Sequence, residues 1–129
     1  MTETLQKILY VEDEADIQTV AKLALESVGG FEVMICGSGV EALEKAPVFK
    51  PDVLLLDVMM PGMDGPDTLV ALLKIEELKN TPAIFLTAKA MPTEVDRYKK
   101  LGALDVIPKP FDPMTLAEQV RAIWSRRND

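Results

Sequence analysis

Five times along this chain a short apolar run is followed by a segment whose apolar residues recur at helical spacing. No other feature narrows the fold as much. Ile8-Leu9-Tyr10-Val11, Phe31 to Cys36, Asp52-Val53-Leu54-Leu55-Leu56-Asp57, Ala83-Ile84-Phe85-Leu86-Thr87 and Asp105-Val106-Ile107 read as strands. They are too continuously apolar to leave one face wet, so helices must cover both sides. That requirement implies an α/β fold built on an open parallel sheet.

The intervening segments supply the helices. Ile17, Val20, Ala21, Ala24, Leu25 and Val28 fall on one helical face, and Gly29-Gly30 ends that helix. A second helix is predicted over Gly39 to Ala46, stopped by Pro47. A third begins at Pro66 and runs to about Leu78. A fourth, weaker one runs from Pro92 or Thr93 to Leu101, stopped by Gly102. The last has Asp112 as N-cap, Pro113 at its first position, and Leu116, Val120, Ile123 and Trp124 on its inner face. The tail from Ser125 to Asp129 reads as a frayed, solvated helix end. With 129 residues, no internal repeat and no linker, residues 1–129 form one expected domain, large enough to hold a core without a metal or disulfide staple.

Composition removes several function classes. The chain carries 14 basic and 21 acidic residues, a net charge of −7, which repels phosphate backbones and argues against direct nucleic-acid binding. It has no histidine, which excludes histidine triads, histidine zinc sites and imidazole acid–base chemistry. The one cysteine, Cys36, forms no internal disulfide and reads as a small apolar strand residue. A lone thiol suits a reducing cytosol, and a cytoplasmic location is expected. The start, Met1-Thr2-Glu3-Thr4, is polar and unlike a signal peptide. No apolar run approaches the roughly 18 residues of a membrane span, so no membrane partner is expected.

In open α/β sheets ligands gather at the carboxyl ends of the strands. Here those ends present Glu12-Asp13-Glu14, Asp57, Thr87 and Lys109. Glu14 and Asp16 read as acids of a first helical turn. Asp13 and Asp57 crowd a partly buried edge, where like charges call for a cation or a raised pKa. Oxygen-only ligands favour a hard ion, with Mg2+ the natural choice. Carboxylate, hard metal, ammonium and hydroxyl together suit phosphoryl transfer. Asp57 supplies the attacking oxygen, Lys109 and the metal neutralise charge, and Thr87 donates a hydrogen bond.

These motifs resemble the receiver domain of bacterial two-component response regulators over nearly the whole chain. The matching segments are Val11-Glu12-Asp13-Glu14, Leu55 to Gly65, Leu86-Thr87-Ala88, Gly102-Ala103 and Lys109-Pro110-Phe111. The resemblance implies a flavodoxin-like, doubly wound (βα)5 fold with strand order 2-1-3-4-5. It implies a phosphoacceptor, not a turnover enzyme, in which Asp57 takes a phosphoryl group from a sensor histidine kinase or phosphotransfer protein. Asp13, Asp57 and the Met59 carbonyl would coordinate Mg2+, with Glu12 acting largely through a metal-bound water. Lys109 would pair with the acids and then with the phosphoryl group, and Thr87 would move to report it. The Lys109-Pro110 bond would be cis, aiming the lysine into the site. A downstream protein would dock on the fourth helix, fifth strand and fifth helix, where Lys99, Lys100, Asp105, Glu118 and Arg121 lie. If the native chain ends after the fifth helix, it is expected to act as a stand-alone receiver, by docking or by relaying its phosphoryl group; the alternative is a receiver joined to an output domain. Oligomeric state is left open.

Two departures from the family pattern stand out. Val106 occupies a position where the family often has Tyr or Phe, a ring that swings inward with the threonine, so the switch must be carried differently, or weakly. Met59 and Lys89, two residues past Asp57 and Thr87, sit where the family modulates water access. Met59 has no donor to orient water, which points to a long-lived phosphoryl form.

Three alternatives stay open at this level. A flavin module would need phosphate-cradling donors after the first strand, where this chain places acids. An aspartate-nucleophile phosphatase would need a second acid two residues past Asp57, where Met59 stands. A pseudo-receiver would keep the fold as a protein-binding scaffold not regulated by phosphorylation.

Overall fold

The computed structural model describes residues 4–127. The first three residues of the polar start, and Asn128 and Asp129 of the expected frayed tail, lie outside them.

Five parallel strands, β1 (Lys7–Val11), β2 (Glu32–Cys36), β3 (Val53–Asp57), β4 (Ala83–Thr87) and β5 (Asp105–Pro108), form one sheet in the order β2-β1-β3-β4-β5. The helices are α1 (Ala15–Leu23), α2 (Gly39–Phe49), α3 (Gly65–Leu73), α4 (Pro92–Lys100) and α5 (Leu116–Ser125). Both the doubly wound topology and the strand order agree with the sequence reading. Strand order reverses between β1 and β3, and the carboxyl ends of these two neighbours open the ligand crevice typical of such sheets.

Successive strand residues point to opposite faces, so the sheet separates two cores. On one face Ile8, Tyr10, Val53, Leu55, Ile84, Leu86 and Ile107 pack under α1 and α5. On the other, Leu9, Val11, Leu54, Leu56, Ala83 and Phe85 pack under α2, α3 and α4. The α5 residues Leu116, Val120, Ile123 and Trp124 are all buried, the inner face their spacing predicts.

The helix boundaries depart from expectation in four places, each with a packing reason. α1 passes into a π-helical turn over Ala24–Val28, closed by the Gly29 amide donating to the Ala24 carbonyl at 3.2 Å. The wider turn rotates Val28 out of the core, leaving it 50% exposed, although the 3.6-residue period placed it inside. Of the two glycines, only Gly30 takes a positive φ. Gly29 is required by close approach, since a Cβ there would lie 2.6 Å from that of Ala117 on α5. In α2, Pro47 does not stop the helix. It falls in the last turn, where its missing N–H costs one bond, and the helix continues to the buried Phe49 before Lys50 turns left-handed at φ 56°.

α3 ends at Leu73, not near Leu78. Six residues of regular helix would point Leu78 about 240° round from Leu72. The break, followed by a 3-10 turn over Glu76–Leu78, lets both leucines enter the same core. α5 begins at Leu116 with Thr115 as N-cap, so Asp112 and Pro113 precede it. Asp112 instead caps the lead-in turn, its carboxylate accepting from the Met114 amide at 2.9 Å and its carbonyl from Thr115 and Leu116. Among the described residues no helix is long and apolar enough to cross a membrane.

Candidate functional site

The carboxyl edge gathers side chains from four strands. β1 runs directly into Glu12, whose amide donates to the Cys36 carbonyl at 3.0 Å and so continues the sheet one residue further. Glu12 is fully buried and Asp57, the last residue of β3, nearly so, while Asp13 is exposed. Carboxylate oxygens of Glu12, Asp13 and Asp57 lie within 4.8 Å of one another. Lys109, two residues past Ile107, reaches across from beyond β5. Its ammonium is shared between Glu12 Oε1 and Asp57 Oδ1, at 2.8 Å each, with its side chain only 15% exposed. The Lys109-Pro110 bond is cis.

Period-two geometry sorts these groups. Tyr10, Glu12, Asp57 and Lys109 continue the rows that face α1 and α5, while Thr87 continues the Ala83–Phe85 row facing α3 and α4. Thr87 is buried, and its Oγ1 accepts the Lys89 amide at 3.0 Å. The hydroxyl thus shapes the β4–α4 turn. Met59 is 69% exposed in the β3–α3 loop, and Lys89 and Pro110 are also exposed. Val106 is half-buried against the core that holds Phe85 and Tyr98. The loop returns tightly to β3: a Cβ on Gly65 would collide with the Asp57 carbonyl oxygen, so the N-terminus of α3 can close on the strand end only with glycine there.

The charge balance is strained. Three acids face one ammonium. Burial is the largest influence on Asp57, and with Glu12 and Asp13 it outweighs Lys109, pushing the carboxyl up to about 6 from 3.8. Burial works to lower Lys109, but the bonds to Asp57 and Glu12 prevail and raise it above its ordinary value. The cluster therefore carries more negative charge than its own lysine neutralises, on oxygen donors alone. That donor set fits a hard divalent cation such as Mg2+.

Beside the site, Asp16, Ile17, Val20, Ala88, Lys109, Pro110 and Phe111 line a mostly apolar cavity of about 390 Å³. On the expected docking face, Asp105 pairs with Arg126 at 3.0 Å and with Lys99 at 4.0 Å, while Lys100 and Glu118 are exposed. Arg121 is exposed as well, but its guanidinium is engaged within the domain. It donates to the Gly29 carbonyl and lies over the Phe31 ring, 4.4 Å from its centroid, tying α5 to the end of α1. Cys36 is buried, as the sequence suggested, and burial pushes its thiol up to about 11. In sequence Tyr10 reads only as a strand residue. Its hydroxyl donates to Glu12 Oε1 at 3.0 Å, a contact foreshadowed only by the two-residue spacing to Glu12.

Comparison with known proteins agrees with this geometry. The family described as the response regulator receiver domain matches residues 8–121. The transcriptional regulatory protein CpxR of Escherichia coli is 41% identical over 124 residues, covering 95% of this chain and 50% of its own length. The DNA-binding response regulator MtrA of Mycobacterium tuberculosis is 36% identical over 124 residues, covering 96% of this chain and 53% of its own. The chain thus spans about half the length of the curated relatives it matches. Among solved structures, the chemotaxis response regulator CheY4 of Vibrio cholerae superposes with a TM-score of 0.86 at 33% identity, covering 93% of this chain and 99% of that one. This chain belongs to the response regulator receiver domain family.

Proposed function

We propose that Asp57 is the phosphoacceptor of this receiver domain and that residues 1–129 act as one signalling unit around it. The observation that carries the reading is the Lys109 ammonium shared between Glu12 and Asp57 under a three-carboxylate cluster. Asp13, Asp57 and the Met59 carbonyl would hold Mg2+ directly, with Glu12 acting through water. Bound there, the ion supplies positive charge opposite the phosphoryl oxygens.

An Asp57 carboxylate oxygen attacks phosphorus. The new O–P bond forms as the P–N bond to a donor histidine breaks, and the electron pair leaves with the imidazole. With acetyl phosphate the bond broken is P–O and acetate leaves. Lys109, already 2.8 Å from Asp57, exchanges one carboxylate partner for the developing phosphoryl charge. Thr87 gives up the Lys89 amide and donates to a phosphoryl oxygen. That exchange is a local electrostatic event able to bias the β4–α4 turn.

The donor is a histidine kinase or phosphotransfer protein, and the location is cytoplasmic. The domain assists its own phosphorylation and hydrolysis without turning over a substrate. The downstream protein docks on α4, β5 and α5, through Lys99, Lys100, Asp105 and Glu118, without Arg121.

The test is intact mass after incubation with acetyl phosphate, with Mg2+ or with EDTA. An adduct requiring both Mg2+ and Asp57 supports the reading; a folded wild type with no adduct from acetyl phosphate or a phosphohistidine donor turns it to a pseudo-receiver. Thr87→Ala is expected to form the adduct but to bind a phosphorylation-dependent partner several-fold more weakly than phosphorylated wild type does. Equal affinity refutes the reporting role. With Met59 exposed and no donor on its side chain, the adduct is expected to persist for minutes or longer. A half-life of seconds with radiolabelled protein refutes that.

A further inference from the structure

We propose that Tyr10 is a positioning residue of the phosphoryl-accepting site, its hydroxyl setting the orientation of Glu12 and, through it, of Lys109. Tyr10 lies in mid-β1, paired in register with Ile35 on β2 and Leu55 on β3, and is fully buried. An unbonded hydroxyl at so apolar a position is costly, and this one has a partner: it donates to Glu12 Oε1 at 3.0 Å. Two residues apart on one strand, the two side chains share a sheet face, so the backbone itself keeps donor and acceptor together.

The Glu12 carboxylate is held by three donors. Oε1 takes Tyr10 from the core side and Lys109 Nζ from the site at 2.8 Å, and Oε2 takes the Glu14 amide at 3.2 Å. Of these, only Tyr10 belongs to the rigid centre of the sheet. Glu14 sits at the start of α1, and Lys109 divides itself between Glu12 and Asp57. The hydroxyl therefore anchors a chain of four groups: phenol, buried carboxylate, ammonium and acceptor carboxylate. Without it the Glu12 carboxylate can turn about its remaining contacts, and Lys109 and the carboxylate cluster lose a fixed reference. Outer partners that orient the groups around a metal in this way govern its affinity strongly.

This inference rests on the proposed acceptor site, and its test separates the two. Tyr10→Phe keeps the ring that fills the core and deletes only the hydroxyl. Calorimetric Mg2+ affinity of the unphosphorylated protein is expected to fall roughly tenfold. The Mg2+ concentration giving half-maximal adduct formation should rise in parallel, with a smaller change in rate at saturating Mg2+. Tyr98→Phe, whose ring packs in the core on the other face of the sheet and whose hydroxyl accepts from Arg97, serves as control and should match wild type. Mg2+ affinity within twofold of wild type in folded Tyr10→Phe, or equal weakening in Tyr98→Phe, overturns the role of Tyr10 and leaves the acceptor reading standing. Wild type that neither binds Mg2+ nor accepts phosphoryl breaks the acceptor reading and takes this inference with it. If Tyr10→Phe does not fold, the buried hydroxyl proton of wild-type Tyr10 decides by NMR. A resonance displaced by Mg2+ supports the role, and one that stays in place refutes it.

Discussion

Two aspartates bracket β3, five residues apart, and they sit in opposite electrostatic worlds. At the amino end Asp52 accepts the amides of Gln6 and Lys7 at 3.0 and 2.9 Å, and its carbonyl takes the Trp124 indole N–H at 3.3 Å. Its partners are backbone dipoles and a neutral ring, and it ties the start of β1 to α5. At the carboxyl end Asp57 has one ammonium to share, with Glu12 and Asp13 crowding the same space. One end of the strand is satisfied by donors the fold supplies. The other retains an excess of negative charge that the fold does not neutralise. Unneutralised charge at one end of an otherwise satisfied strand is a cost to stability, and it is the end where a cation and a phosphoryl group would relieve it.

The sharpest way to break this comparison is to neutralise each aspartate in turn. Asp57→Asn is expected to abolish the acetyl-phosphate adduct completely, while Asp52→Asn retains it, by intact mass. An adduct surviving on Asp57→Asn places the acceptor elsewhere.

Stability should move in opposite directions. By chemical denaturation at pH 7.5, Asp57→Asn should stabilise the metal-free protein by about 1–3 kcal/mol, because it removes a charge that burial and neighbouring acids disfavour. Asp52→Ala should destabilise it by about 1–2 kcal/mol through the amides it strands. The Asp57 effect has a defined pH window. Its folded pKa, pushed up to about 6, lies above the ordinary 3.8. Between these values the native state holds the proton more tightly, so this group's contribution is fully present below the lower value and lost as pH rises through the upper. The gap between wild type and Asp57→Asn should therefore close as pH falls from 7 to 4; a gap constant with pH would contradict the raised pKa.

An effect no larger than these comes from the ion. At ten times its Kd, Mg2+ should stabilise wild type and Asp52→Ala equally, by about 1.4 kcal/mol, with a smaller gain for Asp57→Asn and reversal by EDTA. Equal gains in all three proteins would separate the metal site from Asp57.

How much of this was readable in the chain depends on the range of the interaction involved. The strands were legible to within about a residue because a buried parallel strand must be continuously apolar, and Asp57, Thr87 and Lys109 stood out as polar residues at the strand ends. The resemblance anticipated that Lys109 meets the acids. Helix ends were less legible. Pro47 breaks a helix by local propensity, yet the buried Phe49 carries α2 past it. A regular period placed Val28 inside, and the π-helical turn turned it out. Arg121 reads only as an exposed charge, and nothing local foretells its bond to the end of α1.

By itself, the amino-acid sequence determined the order of strands and helices, the two-faced burial of the sheet and the set of groups at its carboxyl edge. Each of these follows from periodicity and local conformational preference, which act over a few residues. The tertiary structure decided which of those groups meet. The lysine shared between two acids 52 and 97 residues away and the placement of Thr87 on the opposite face from Asp57 depend on crossovers and helix packing. Those contacts are long-range, and no local pattern encodes their geometry.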